Sequence, residues 1–154
     1  MTIQEVHERE IQLWLRLDQA YKRANHDAKR HTGRELEALH DVLHELAEKY
    51  QIPADQGLKP VVVSWHPALA DYACELGLVR RQDMPLRVLS HARESDVSGK
   101  YVIGKLPTHL AVKALLVADI PLIVPPHMKG QELSLEDIRR YSRPVNFYHT
   151  RQLR

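Results

Sequence analysis

The sequence contains only one cysteine, Cys74, so no disulfide bond can form within the chain. It has no apolar run approaching the ~20 residues that cross a lipid bilayer. Its first ten residues, MTIQEVHERE, lack the apolar core of a secretory signal peptide. These absences argue against the disulfide-stapled, secreted and transmembrane classes, and they predict a cytoplasmic protein in a reducing compartment with no membrane partner.

Neither sign of charge dominates, because 22 Lys and Arg are balanced by 20 Asp and Glu. The net charge is −3 over residues 1–58 and +5 over residues 59–154. A charge of +5 is too small to predict a surface that binds duplex DNA, but it favours an anionic ligand in the C-terminal part. The length of 154 residues and the hydrophobic fraction of 44% fit one globular domain with an added helical piece.

The chain changes character near residue 58, since eight of nine prolines and every strand-like run lie beyond it. Before it, apolar residues at helical spacing predict two amphipathic helices, over about residues 3–28 and residues 32–50. Two such helices joined by a short link form an αα-hairpin. We therefore predict a helical hairpin at residues 1–52, followed by an α/β domain at residues 59–154.

Strands and helices alternate in the second part, in the order β-α-β-β-α-β-α-β. This order is typical of a mainly parallel sheet covered by helices. The predicted strands are residues 60–64, 86–89, 101–103, 120–124 and 144–148, and the predicted helices are residues 67–76, 106–117 and 134–141.

Polar side chains cluster where the predicted strands end, which is the edge where such sheets bind ligands. His66, His91 and His127 each follow a predicted strand within three residues. Lys105 opens the predicted helix 106–117, whose free N–H groups and positive dipole end suit a phosphate. The strand ends therefore predict a site for an anionic, phosphate-bearing ligand.

Other chemistries have weaker support. The segment GKYVIGK at residues 99–105 resembles a phosphate loop, but leucine follows it instead of Ser or Thr, and its middle is predicted as a strand. The segment HDVLH at residues 40–44 approaches a zinc signature, but aspartate replaces its glutamate and no third ligand is indicated. Ser64 and Ser90 lack the glycines of a nucleophile elbow. We predict no metal and no cofactor.

Four blocks of the sequence can be compared with known families: VSWHPA at residues 63–68, LSH at 89–91, VIGKLPTHLA at 102–111 and KGQELSLED at 129–137. Together they resemble a small CRISPR-associated family of type III systems, one of the Csx groups regarded as ring nucleases. The resemblance covers about residues 59–150. Its most specific block is the third, a strand followed by a Gly-x-Leu-Pro-x-His-Leu-Ala helix start.

The resemblance implies a Rossmann-like fold, a homodimer, and cleavage of a cyclic oligoadenylate, with cyclic tetra-adenylate as the first choice. A ribose 2′-hydroxyl would attack its neighbouring phosphate without a metal ion, leaving a cyclic 2′,3′-phosphate. In this interpretation Lys105 holds the phosphate, and His66 or His109 protonates the leaving oxygen. The predicted substrate-binding residues are Ser64, Trp65, His91, Gly104, Leu106, Pro107, Thr108 and Glu132.

Three alternatives stay open at this point. The first is a protein that binds and sequesters the cyclic messenger without cutting it; the chain has Trp65 and Ala68 where the family tends to Arg and Gly. The second is a signalling or assembly protein whose hairpin binds a partner. The third is a zinc enzyme built on residues 40–44.

Overall fold

The computed structural model of the protein describes residue 12, residues 33–52 and residues 59–153. Apart from residue 12, the first predicted helix at residues 3–28 lies outside the described residues. The hairpin and the division into two domains therefore stay predictions. No helix in the described ranges is long and apolar enough to cross a membrane.

A five-stranded sheet forms the centre of the fold, with the strand order β2-β1-β3-β4-β5. The first four strands in this order pair in parallel, and β5 pairs with β4 in the antiparallel sense. This confirms the predicted α/β class with a mainly parallel sheet. The strands are β1 (Val61–Val63), β2 (Val88–Leu89), β3 (Tyr101–Gly104), β4 (Leu116–Asp119) and β5 (Asn146–Tyr148).

Helices flank the sheet, and local signals set several of their ends. The helix after β1 ends at Gly77, which adopts the left-handed conformation with φ 80° and donates its N–H to the last turn. The last helix begins after Ser134, whose hydroxyl accepts from the backbone N–H of Asp137 at 3.2 Å. The helices are α1 (Gly33–Lys49), α2 (Ala68–Leu76), α3 (Glu94–Val97), α4 (Thr108–Ala111) and α5 (Leu135–Tyr141).

Both faces of the sheet are buried, because successive side chains of a strand point to opposite faces. Val62 packs with apolar residues of α1, α2 and α5, whereas Val61 and Val63 pack with those of α3 and α4. Burial on both faces explains why β1 is an uninterrupted run of valines. Three layers result, with the sheet between two layers of helices.

The predictions for the fourth strand and the helix before it were wrong. β4 begins four residues before the predicted strand 120–124, and α4 ends at Ala111 instead of residue 117. The pairing with β3 decides this, because it places Val117 opposite Val102 at the centre of the core. Pro121 has no N–H to donate to a sheet ladder, which disfavours a central strand through residues 120–124.

The order of the strands reverses between β1 and β3. β1 lies between β2 and β3, so the chain leaves β1 on one side and later returns on the other. In parallel sheets, the connections that follow two neighbouring strands at such a reversal run in opposite directions. They leave a crevice outside the carboxyl ends of those strands, where ligands bind. Here the crevice is expected at the ends of β1 and β3.

Candidate functional site

An open cleft of about 430 Å³ lies at this reversal point, at the carboxyl ends of the four parallel strands β1, β2, β3 and β4. Its volume is within the usual range for small-molecule sites, ≈300–1,000 Å³. Polar side chains from the ends of all four parallel strands line it together with apolar side chains. The lining residues are Val63, Ser64, Trp65, His66, Leu69, Ser90, Gly104, Lys105, Asp119, Ile120, Pro121 and Leu122.

The segment after β1 brings Ser64, Trp65 and His66 to the cleft. The backbone N–H of His66 donates to Ser64 Oγ at 3.1 Å, which makes a tight turn at the strand end. Trp65 is turned outward, and 63% of its surface is exposed. An exposed indole at the mouth of a cleft offers a flat face on which a nucleobase can stack.

The ring of His66 is held by a backbone group. The N–H of Leu133, in the connection before α5, donates to His66 Nδ1 at 3.0 Å. An acceptor at Nδ1 assigns the proton of the neutral ring to Nε2. In this arrangement the other ring nitrogen, Nε2, can donate a hydrogen bond to a ligand oxygen.

The end of β3 approaches the backbone of β1 unusually closely at Gly104. A Cβ built on Gly104 would lie 3.0 Å from the carbonyl carbon of Val63 and still nearer to its oxygen. Gly104 also has a φ of 129°, which side-chain-bearing residues rarely adopt. This glycine lets β3 end against β1 and directs Lys105, which is exposed, toward the cleft.

Asp119 ends β4 and also lines the cleft, although it is not among the residues predicted from the sequence. Partial burial raises the pKa of its carboxyl above the ordinary value, and the ammonium of Lys105 partly opposes this shift. A carboxylate and an ammonium group therefore lie close enough to influence each other at the centre of the cleft.

We expect Asp119→Asn to raise stability at neutral pH. Because the folded pKa is raised, the unfolded chain gives up this proton first, and stability falls as pH rises between the two pKa values. The asparagine side chain does not ionise, so the variant avoids this loss of stability. Water screens the partly exposed group, so the gain in Tm should be about 1–2 °C, or roughly 0.5 kcal/mol. Thermal unfolding at pH 7 and at pH 4 checks this; an equal difference at both values would contradict it.

The comparisons with known proteins bear on the same part of the chain. The family model described as "Putative CRISPR-associated protein (Cas_VVA1548)" matches residues 61–151, which is more than half of the chain. The chain belongs to this CRISPR-associated family. No curated protein and no solved structure matches it. The matched segment contains every residue that lines the cleft and leaves α1 outside.

In this CRISPR-associated protein, the cleft gathers five of the sequence-predicted site residues and leaves six outside its lining. Those inside come from the ends of β1 and β3. The six outside still lie in the matched segment. The five that line it are Ser64, Trp65, His66, Gly104 and Lys105, and the six that do not are His91, Leu106, Pro107, Thr108, His109 and Glu132.

The predicted phosphate cradle at the start of the fourth helix is also weaker than expected. The prediction used the dipole of a helix over residues 106–117, but α4 has only four residues. A single turn has a small macrodipole. His127, the third predicted strand-end histidine, lies exposed in a short 3-10 helix, Pro126–Met128, outside the cleft lining.

The zinc-like segment HDVLH of this CRISPR-associated protein lies on α1, remote in sequence from the cleft. His40 is 8% exposed, and its Nε2 accepts from Arg80 Nε at 3.1 Å, whereas His44 is exposed. Burial, reinforced by the Arg80 guanidinium, lowers the pKa of His40. Within residues 33–52 and 59–153, no group of three His, Cys, Asp or Glu side chains is placed to hold a metal.

Proposed function

We propose that this member of the CRISPR-associated family binds a cyclic oligoadenylate in the cleft and opens the ring without a metal ion. The observation that carries the proposal is the meeting of Lys105, His66, Ser64 and Trp65 in one open cleft at the reversal point of the sheet. These groups offer a cation, two hydroxyl- or imidazole-type donors and a stacking surface. An adenylate needs this combination, because it has a phosphate, a ribose and a flat base.

The size of the cleft suits one nucleotide unit. Trp65, with 63% of its surface exposed, would stack on an adenine at the mouth. The other nucleotides of the ring would lie across the opening, toward the second protomer of the predicted homodimer. Cyclic tetra-adenylate, with an even number of identical units, fits such a two-fold arrangement.

In the proposed reaction, the 2′-hydroxyl oxygen of a ribose attacks the neighbouring phosphorus. The 2′-hydroxyl loses its proton as its oxygen bonds to phosphorus. The bond from phosphorus to the 5′ oxygen of the next nucleotide breaks, and that oxygen takes up a proton from water. The products are a cyclic 2′,3′-phosphate and a 5′-hydroxyl. Lys105 would stabilise the charge that grows on the phosphate oxygens, and His66 would donate to them from Nε2. Ser64 would orient the ribose.

One observation favours a second candidate, sequestration of the ring without cleavage. His66 accepts the N–H of Leu133 at Nδ1, so it serves better as a hydrogen-bond donor than as the acid that protonates the leaving oxygen. His109, the other predicted acid, is exposed on α4 and does not line the cleft. A cleft that offers hydrogen-bond donors but no positioned general acid would favour binding of the intact ring.

The test is incubation of purified protein with cyclic tetra-adenylate in excess EDTA, followed by chromatography of the products. We expect the ring to be consumed and products ending in a cyclic 2′,3′-phosphate to appear. Binding is measured separately through tryptophan fluorescence, which should be quenched if a base stacks on Trp65. Ring that is bound but recovered uncut would support sequestration, and ring that is neither bound nor cut would refute both functions.

A further inference from the structure

The cleft contains a carboxylate that the reaction proposed above leaves without a role. Asp119 is the acidic member of the residues that line the cleft, where it lies with Lys105, His66, Ser64 and Ser90. A carboxylate in a site for a phosphate ligand opposes binding through its charge. Its presence there calls for a chemical reason, since asparagine would fill the same space without repulsion.

The sheet fixes the position of Asp119 from both sides. Ala118 pairs with Ile103 of β3, so Asp119 follows in register beside Gly104 and the Lys105 that comes after it. On the other side, Asp119 pairs with Asn146 of β5. A group held on a paired strand keeps its geometry better than one on a loop, which is what an acid–base catalyst requires.

The surroundings of Asp119 adjust its proton affinity. The ionisable side chains that line the cleft with it are Lys105 and His66. Partial burial raises the pKa of Asp119, and Lys105 moderates the increase. Once ionised, a carboxylate with raised proton affinity is a stronger base than an exposed aspartate.

We propose that Asp119 is the general base that removes the proton from the attacking ribose 2′-hydroxyl. This inference rests on the proposed cleavage function. As the 2′ oxygen forms its bond to phosphorus, its proton passes to the Asp119 carboxylate. The bond from phosphorus to the 5′ oxygen breaks, and that oxygen takes a proton from water at the open mouth of the cleft. Asp119 then releases its proton to solvent, and no oxidant, reductant or metal is needed.

This role also accounts for His66 as a donor. His66, which donates from Nε2, and the Lys105 ammonium bind the phosphate, while Asp119 accepts the proton of the 2′-hydroxyl. The site then needs no histidine that changes its protonation state. The histidines outside the cleft lining, His91 and His109, become unnecessary for proton removal.

The experiment compares the parent protein with Asp119→Asn and Asp119→Glu, using cyclic tetra-adenylate as the probe. We expect Asp119→Asn to lower the single-turnover cleavage rate by about 10²–10⁴-fold, with affinity for the ring unchanged or improved. The parent rate should rise with pH and level off above the pKa of Asp119. The rise of the cleavage rate with pH should be absent in Asp119→Asn and present again in Asp119→Glu.

Each other outcome has a definite meaning. If the parent cuts the ring and Asp119→Asn cuts it equally fast, the role of Asp119 is refuted and the proposed function stands. If Asp119→Asn loses affinity as strongly as rate, or the rate falls as pH rises, Asp119 is not the base. If the parent binds the ring without cutting it, both the base and the cleavage function are refuted. Lys113→Ala, which lies before the amino end of β4 and outside the cleft lining, serves as a control that should match the parent.

Discussion

Replacing Gly104 by alanine should destabilise the protein by about 3 kcal/mol or more, which lowers Tm by about 6–12 °C in a chain of this size. Two effects add. The new Cβ would lie 3.0 Å from the carbonyl carbon of Val63, and that backbone cannot yield because it is paired in register with β3. The φ of 129° is also strained for any residue with a side chain. Thermal and urea unfolding measure the loss.

Gly130 provides the matched control for this prediction. It too has a positive φ, 83°, but a Cβ built on it would meet nothing within 4 Å. Gly130→Ala should therefore show the backbone strain without the clash and cost only about 1 kcal/mol. Equal losses of stability in the two variants would mean that the clash with Val63 adds nothing to the cost of a side chain at Gly104.

Replacing Lys105 by alanine should weaken binding of cyclic tetra-adenylate by about 10–100-fold, since a hydrogen bond to a charged group contributes ≈1.5–3 kcal/mol. If the proposed cleavage occurs, its rate should fall by a further ~10²-fold, because the ammonium stabilises charge that grows in the transition state. Affinity and single-turnover rate are measured separately, so the two losses can be told apart.

The same variant has a result that needs no ligand. Lys105 lowers the pKa of Asp119, so its removal should move the Asp119 titration to higher pH. Carboxyl chemical shifts measured by NMR across the pH range report this directly. Lys113→Ala removes the same charge from a lysine that pairs with Glu94 at 3.9 Å, and it should leave both binding and titration unchanged. Equal effects of the two variants would show that only net charge matters.

Much of the site could be predicted from the sequence because β1 and β3 are central strands with clear patterns. The valine run of β1 and the segment Tyr101–Gly104 of β3 are both buried, and each is followed at once by polar residues. Parallel pairing then brings their ends together, which placed Ser64, His66 and Lys105 in one cleft as expected.

Asp119 was missed because the boundary between α4 and β4 depends on tertiary contacts. The residues from Leu106 to Val117 show helical spacing, and the β-branched residues after Asp119 favour a strand. Local propensity therefore predicts a helix that ends too late and a strand that begins too late. Pairing with β3 outweighs this preference. The sequence did contain a signal for the correct strand. Ala114–Ile120 is an apolar run interrupted only by Asp119, which is typical of a buried strand, and Pro121 directly follows it.

The outer strands of the sheet limit how copies of the protein can associate. β2 has two residues and β5 has three, so each presents only a few unpaired backbone groups to a neighbouring chain. Lengthening the sheet by adding a strand from another molecule would form few hydrogen bonds, which protects against fibrous assembly. If the proposed homodimer forms, pairing between its outer strands would contribute few hydrogen bonds, so we expect its strength to depend on side-chain contacts.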